Sequence, residues 1–235
     1  MCSVIGAVVV SPKRETFDTL LRVFHESRIR GLHATGISYV KNGSVHTEKL
    51  PVPSTEFPFD FPNYVNEDGN LYLIGHCRYS TSDLLYNQPI SNDRISIAHN
   101  GVISQELPEN WEKLYGYHCE TKNDSELLLK SIEDERSPLH HWTDASLAVC
   151  ELYSNKKLRF YRNGKRPIYF TSMENGYIIT STQDISKRAG LSNSPTECKM
   201  NIYHHLEPGL DMFMSEVVSQ DNKDLQEVNH EKLSA

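Results

Sequence analysis

The second residue of the chain, Cys2, has the position and the side chain of an N-terminal nucleophile. Removal of Met1, which a small second residue permits, would give Cys2 a free α-amine beside its thiol. A free α-amine titrates near pKa ~7.7–8.0, so it can act as a base at neutral pH. A cysteine thiolate is intrinsically very nucleophilic. Cys2 is therefore a candidate nucleophile that carries its own base, although an arbitrary residue at position 2 is the simpler interpretation of the position alone.

Four segments beyond Cys2 hold residue types that a catalytic site uses: RGLHATGIS (30–38), GHCRYSTS (75–82), AHNGVI (98–103) and NDSE (123–126). NQP (87–89), RNGKRPIYF (162–170) and EPGLDMF (207–213) accompany them. In this order behind Met-Cys, the segments resemble the motifs of the class II glutamine amidotransferases. That N-terminal-nucleophile family includes the glutaminase domains of glucosamine-6-phosphate synthase and amidophosphoribosyltransferase. The resemblance covers roughly residues 2 to 214.

The resemblance implies a catalytic role for Cys2 and for the Asn100–Gly101 pair. Cys2 would attack the side-chain amide of free L-glutamine, release ammonia and hold a γ-glutamyl thioester until water releases glutamate. The side chain of Asn100 and the backbone N–H of Gly101 would stabilise the oxyanion, and a glycine lets the backbone approach the substrate closely. Asn-Gly is also the signal of a plain hairpin turn. His99 is interpreted as an orienting or packed residue, because the α-amine of Cys2 would move the protons.

Charged residues in the same motifs match the two charges of a free amino acid. Arg78 can bind the α-carboxylate as a bidentate fork, and Asp124 can pair with the α-ammonium. A solvated ion pair would be the ordinary interpretation of such residues outside this motif context. Thr81 and Ser82 offer hydroxyls nearby, although the family often has histidine at the second position, where a turn serine is an equal interpretation. Arg30 is expected in the wall behind the nucleophile.

The composition is that of a globular chain without a general affinity for nucleic acid. The 235 residues are 38% hydrophobic and 23% charged, with a formal net charge of -7. That charge argues against binding to nucleic acid or to an anionic membrane surface, and no stretch approaches the ~18 apolar residues of a membrane span. The five cysteines are odd in number and scattered, which favours a cytoplasmic setting over a disulfide framework. The histidine doublets make poor chelates, so we expect neither a metal nor a cofactor.

The elements that must position these residues are buried strands and two helices. The apolar spacing predicts a helix from Glu15 to about Arg28, and Asn42-Gly43 predicts a hairpin turn. A second helix is predicted from Asn123, with Glu126 completing a capping box. Runs of strands with helices between them predict an α+β fold. The family resemblance implies the four-layer αββα fold of N-terminal-nucleophile hydrolases, two stacked, mainly antiparallel sheets between helices.

We expect residues 1–215 to form the glutamine amidotransferase domain and residues 216–235 a polar tail or surface helix. No P-loop, adenylation motif or sugar-phosphate site is visible, which predicts a free-standing glutaminase and with it either a separate ammonia-accepting synthase subunit or simple hydrolysis. Two alternatives stay open. A hydrolase of another amide or γ-glutamyl substrate would have less need of paired Arg78 and Asp124. A non-catalytic regulatory module of the same fold would typically lose Cys2.

Overall fold

The protein is built on two stacked β-sheets in the computed structural model, which describes residues 2–79, 86–208 and 211–216. The strands are β1 (Ser3–Val9), β2 (Ala34–Lys41), β3 (Ser44–Leu50), β4 (Leu71–Arg78), β5 (Ile90–Ser91), β6 (Ile95–His99), β7 (Ala148–Tyr153), β8 (Leu158–Arg162), β9 (Tyr169–Met173), β10 (Gly176–Thr180), β11 (Thr196–Glu197), β12 (Ile202–Leu206) and β13 (Met212–Glu216). The helices are α1 (Arg14–Ser27), α2 (Phe61–Tyr64), α3 (Trp111–Tyr115), α4 (Ser125–Glu133), α5 (Pro138–His141) and α6 (Gln183–Arg188).

The two sheets are antiparallel throughout the described part of the chain. The seven-stranded sheet has the order β11-β9-β10-β1-β4-β2-β3, and the six-stranded sheet has the order β13-β12-β8-β7-β6-β5. One apolar cluster fills the space between the sheets, a second packs α1 and α6 on the first sheet, and a third packs α4 and α5 on the second. The predicted fold, two antiparallel sheets between helices, is confirmed.

Local sequence signals account for the elements on either side of β2. Helix α1 begins and ends within one residue of the prediction, and it buries Leu20 and Phe24 against the first sheet. Burial of each such side chain is worth about 1.5–3 kcal/mol. The predicted hairpin turn is confirmed: Asn42 (φ 52°) and Gly43 (φ 73°) both adopt the left-handed conformation that a tight turn between twisted strands requires.

The start of α4 differs from the prediction. The helix begins at Ser125, and the side chain of Glu126 does not complete a capping box with Asn123. Both carboxylate oxygens of Glu126 accept backbone hydrogen bonds from the preceding loop, from Glu120 N (2.8 Å) and Thr121 N (2.6 Å). Glu126 is buried, so its carboxylate is satisfied by the loop that packs over it and fixes that loop in front of the helix.

Two predictions concern residues outside the described ranges. The polar tail at 216–235 falls there except for its first residue, and so do Thr81 and Ser82. Among the helices that the structure describes, none has the length and apolar character to cross a bilayer.

Candidate active site

A cavity of about 390 Å³ lies beside Cys2, at the end of the sheets where β1 begins and β4 and β6 end. Of the predicted site residues, Cys2, Arg78, His99, Gly101 and Asp124 line it. Its volume is in the range usual for small-molecule sites. A larger cavity, of about 630 Å³, lies beside the start of α1 and contains none of the predicted site residues.

The pairing of β1 with β4 brings Cys2 next to Arg78. Ser3 pairs with Cys77 and Val4 with His76, so continuing the antiparallel register by one residue sets Cys2 opposite Arg78. The Arg78 guanidinium lies 5.2 Å from the ring centroid of Tyr86, a cation–π contact that orients it at the cavity wall.

Arg30 holds the backbone of Cys2 from behind the cavity wall. Its Nε donates a hydrogen bond to the Cys2 carbonyl oxygen (3.0 Å), and the residue itself does not line the cavity. Burial lowers the pKa of Arg30, with Cys2 opposing the shift and Arg166 reinforcing it. Arg166, from the RNGKRPIYF segment, therefore lies close enough to Arg30 for its positive charge to act on that residue, a role that was not predicted from the sequence.

The Asn100–Gly101 pair continues the pairing of β6 with β7. His99 pairs with Val149, Asn100 N donates to Ala148 O (2.9 Å), and Val102 and Ser146 exchange two backbone hydrogen bonds. The positions stay in one register, so the hairpin interpretation of this Asn-Gly is wrong. Side-chain alternation turns Asn100 to the space between the sheets, the face that Ala98 also occupies.

The two predicted oxyanion donors differ in their relation to the cavity. Gly101 lines it, whereas the side chain of Asn100 is buried behind the wall. No described residue forms a hydrogen bond with Asn100 Nδ2. A Cβ at Gly101 would collide with the carbonyl oxygen of Ser146 and the ring of His99. The glycine is thus required by packing against the protein, a cause other than the close approach to substrate that the sequence predicted.

His99 is buried with both ring nitrogens in hydrogen bonds. Nε2 lies 2.9 Å from Ser146 O, which can only accept, so Nε2 carries the proton. Nδ1 lies 2.9 Å from Ser125 Oγ and accepts from that hydroxyl. Burial lowers the pKa of His99, although Asp124 and the Ser146 carbonyl oppose the shift. A neutral ring with both nitrogens engaged orients its neighbours, and it has no lone pair available for general-base catalysis.

Asp124 directly precedes the first residue of α4 and lines the cavity. Oδ2 accepts hydrogen bonds from the backbone N–H groups of Ile103 (2.6 Å) and Ser104 (3.2 Å). Within the described ranges no donor is bound to the second oxygen, Oδ1. The carboxylate is therefore held in place through one oxygen, and the other can bind a cation such as an ammonium group.

His76 also lines the cavity, and no role was predicted for it from the sequence. It is buried, and burial together with the charge of Arg78 lowers its pKa to about 3, so it is neutral. Its place in the site could have been predicted from the sequence: His76 and Arg78 are two residues apart on β4, so both side chains face the space between the sheets. Lys122 and Glu106, from the loops around α3, add one charge of each sign to the cavity wall.

Cys77 is a buried strand residue, as predicted, and burial raises its pKa to about 12. It lies on the face of β4 opposite Arg78 and packs against α1. No group of three or more His, Cys, Asp or Glu side chains in the described ranges could hold a metal ion.

The chain resembles known proteins in sequence and in fold. No family model matches the chain. The 7-cyano-7-deazaguanine synthase of Saccharolobus solfataricus is 28% identical over 137 residues, 54% of this chain and 29% of that protein. The glutamine phosphoribosylpyrophosphate amidotransferase of B. subtilis superposes with a TM-score of 0.66 at 20% identity, over 92% of this chain and 49% of that one. A glutamine aminotransferase class-II domain protein from Silicibacter pomeroyi gives 0.55 at 11% identity, over 91% and 97%.

The chain thus spans about half of the B. subtilis enzyme and under a third of the synthase. The solved structures establish the arrangement of sheets and helices. The chain has the fold of a class II glutamine amidotransferase domain.

Proposed function

We propose that this chain is a glutaminase that hydrolyses the side-chain amide of free L-glutamine and supplies ammonia to a separate acceptor enzyme. One observation carries the proposal: Cys2 shares a cavity with Arg78 and Asp124. A free amino acid brings one negative and one positive group, and these two side chains offer the opposite charges beside a thiol. A cavity built for an uncharged amide would gain nothing from holding both charges in its wall.

The first half of the reaction forms a thioester. The Cys2 thiolate attacks the amide carbon of glutamine, and the amide oxygen becomes an oxyanion. The Gly101 N–H, in the cavity wall, and the side-chain amide of Asn100 would stabilise it; Asn100 Nδ2 has no hydrogen-bond partner among the described residues, which leaves it available as a donor. The α-ammonium of Cys2 then protonates the leaving nitrogen, the C–N bond breaks and ammonia departs.

The second half returns the enzyme to its starting state. The neutral α-amine takes a proton from water, and the hydroxide attacks the thioester carbonyl. The C–S bond breaks, glutamate leaves and Cys2 is a thiolate again. Arg30 supports both halves by fixing the Cys2 carbonyl, which holds the α-amine and the thiol in one orientation. Thr81 and Ser82 complete the proposed substrate contacts on the segment after Tyr79.

The acceptor is proposed to be a second protein, because ammonia in water is mostly ammonium and a poor nucleophile. The 7-cyano-7-deazaguanine synthase that resembles part of this chain is itself a synthase, which supports an acceptor of that kind. A reducing, cytoplasmic location agrees with all five cysteines being free thiols. Residues 1–215 form the proposed catalytic domain.

Two variants of Cys2 test the mechanism. Cys2→Ala should abolish glutamate release while the protein stays folded, because only the sulfur is lost. A protein with residues fused ahead of Cys2 should be equally inactive, since its amine becomes an amide. Normal turnover by the fusion would exclude the α-amine as the base, and glutamate release by Cys2→Ala would overturn the mechanism altogether.

Substrate choice separates the glutaminase from a hydrolase of other amides. Free glutamine should be used well and glutamine inside a peptide poorly, since a peptide lacks both charges that Arg78 and Asp124 would bind. Equal rates on the two substrates would favour the other hydrolase. The acceptor is tested by purifying the chain at native levels with whatever binds it: glutamate release should rise when the bound synthase and its substrate are present, and high turnover without any partner would leave a plain glutaminase.

A further inference from the structure

Gln88 connects two segments of the cavity wall that are far apart in sequence. It is buried and lines the cavity. Its Oε1 accepts a hydrogen bond from the backbone N–H of His99 (2.7 Å), and its Nε2 donates to Ser125 Oγ (3.0 Å). His99 directly precedes the Asn100–Gly101 pair, and Ser125 directly follows Asp124. One side-chain amide therefore bonds to the neighbours of both proposed substrate-binding segments.

The directions of the hydrogen bonds around Gln88 are fully determined. The carbonyl of Ser146 assigns the ring proton of His99 to Nε2, so the Ser125 hydroxyl donates to Nδ1. The same hydroxyl oxygen can then accept from Gln88 Nε2. Gln88, His99 and Ser125 form a closed ring of hydrogen bonds in which each group is either the donor or the acceptor of a given bond. A side chain at position 88 that cannot both donate and accept would interrupt this ring.

The backbone of Gln88 is also held closely. Its carbonyl oxygen occupies the space where a Cβ on Gly36 of β2 would lie, so the chain at 88 packs directly on that strand. The side-chain amide of Asn123 donates to Tyr86 O (2.5 Å), a second bond between this segment and the start of α4. Gln88 is thus anchored on the first sheet while it bonds to groups on the second sheet and on α4.

We propose that Gln88 is a positioning residue that fixes the distance between Asp124 and the Asn100–Gly101 pair, acting through Ser125 and His99. The inference rests on the proposed function, because those two segments are the proposed ammonium and oxyanion sites. A substrate clamped at one end and attacked at the other requires both at a set distance, and small displacements are costly in rate.

Gln88→Met keeps the length and removes both hydrogen bonds, and Gln183→Met, at an exposed glutamine of α6, is the matched control. With active sites counted by covalent titration of Cys2, Gln88→Met should lower kcat by about tenfold or more and also raise KM for glutamine. A merely structural role would reduce the number of active sites and leave kcat per site and KM as in the natural protein. That result in a folded variant would overturn the proposal.

Gln88→Glu gives a readout that needs no activity. The new carboxylate still accepts the hydrogen bond from the backbone N–H of His99. Because it cannot donate to Ser125 Oγ, the Ser125 hydroxyl turns to donate to the carboxylate. Nδ1 of His99 then loses the hydrogen bond that it accepted, and it binds a proton so that it can donate to Ser125 Oγ instead. The charged groups that face His99 are Asp124 and Arg166, and the neutral ring of His76 is its other titratable neighbour. The Met and Glu variants leave all three unchanged.

Nitrogen NMR of labelled imidazole should find the His99 ring neutral with Nε2–H in the natural protein at pH 7. In Gln88→Glu the ring should be protonated at both nitrogens. Identical His99 signals in the two proteins would show that Gln88, His99 and Ser125 do not form this ring of hydrogen bonds, and that result would overturn the proposal. If the natural protein shows this tautomer and Gln88→Glu changes it, but the natural protein has no glutaminase activity, Gln88 still fixes the two segments through this ring, and it is the proposed function that fails.

Discussion

The carboxylate of Asp124 accepts the backbone N–H of Ile103 at 2.6 Å, across 21 residues of sequence. This bond joins the start of α4 to the segment that follows Gly101, and the Ser104 N–H reinforces it at 3.2 Å. One carboxylate thus holds the loop at 103–104 through Oδ2 and leaves Oδ1, in a residue that lines the cavity, to bind a cation. A substitution that removes its charge but keeps an acceptor oxygen can separate these two tasks.

Asp124→Asn should weaken glutamine binding while the loop at 103–104 keeps its hydrogen bonds through the amide oxygen. Arg78→Lys should act alike, because a lysine cannot form the bidentate fork. Each should raise KM for glutamine more than it lowers kcat, with about 2–5 kcal/mol at stake for breaking a desolvated charge pair. Steady-state kinetics check this, with Asp18→Asn and Arg94→Lys as exposed controls. An unchanged KM in both variants would remove these residues from the substrate site.

Asn100→Ala tests the oxyanion donors. Loss of one such donor typically lowers kcat about 10²–10³-fold, and KM should change little because the interaction forms in the transition state. The measurement is kcat for glutamate release, with Asn193→Ala at the exposed surface as the control. Since Asn100 lies behind the cavity wall, a normal kcat in the variant would assign oxyanion stabilisation to the Gly101 N–H and other groups.

The free energy of unfolding should decrease as the pH is lowered, and two buried histidines should contribute to this decrease. Burial lowers the pKa of His76 to about 3 and that of His204 to about 4, from the ordinary 6.5. Below pH ~6.5 the unfolded chain takes up protons that the folded protein does not bind. The free energy of unfolding therefore decreases as the pH falls, by about 1.4 kcal/mol per pH unit for each such histidine, until the pH nears the folded pKa.

His204→Phe isolates one of these groups, since the ring stacks on Phe160 (5.1 Å) and a phenyl group can replace it there. Denaturant unfolding should be measured between pH 6.5 and 4.5. The free energy of unfolding should fall less steeply with pH in the variant, and the difference in slope should correspond to the uptake of about one proton. A variant with the same slope as the natural protein would mean that His204 titrates normally in the folded state.

Local periodicity was enough to predict much of the fold, whereas the site depended on contacts between distant segments. Asn42-Gly43 and Asn100-Gly101 are the same dipeptide with opposite outcomes. The first turns between β2 and β3 with positive φ at both residues. The second stays in register because Ser146, far along the chain, pairs with Val102. Nothing within a few residues of position 100 distinguishes the two cases.

The same limit explains the residues that the sequence analysis missed. Cys2, Arg78 and Asp124 could be chosen from motif resemblance, and the cavity brings them together. Gln88 lay inside a quoted motif, but its bonds to His99 and Ser125 cross 11 and 37 residues and follow no sequence periodicity. His76 could have been found from strand alternation alone.

The central claim is that Cys2 is an N-terminal nucleophile that recognises glutamine, and intact-mass and peptide mass spectrometry of the native protein test it most directly. After treatment with a diazoketone analogue of glutamine, we expect a chain without Met1 that carries one adduct, on Cys2, with labelling suppressed by excess glutamine. Burial raises the pKa of the other four thiols, Cys77, Cys119, Cys150 and Cys198, which keeps them unreactive. Retention of Met1 in a fully active protein, or an adduct on another residue that glutamine suppresses, would contradict the account.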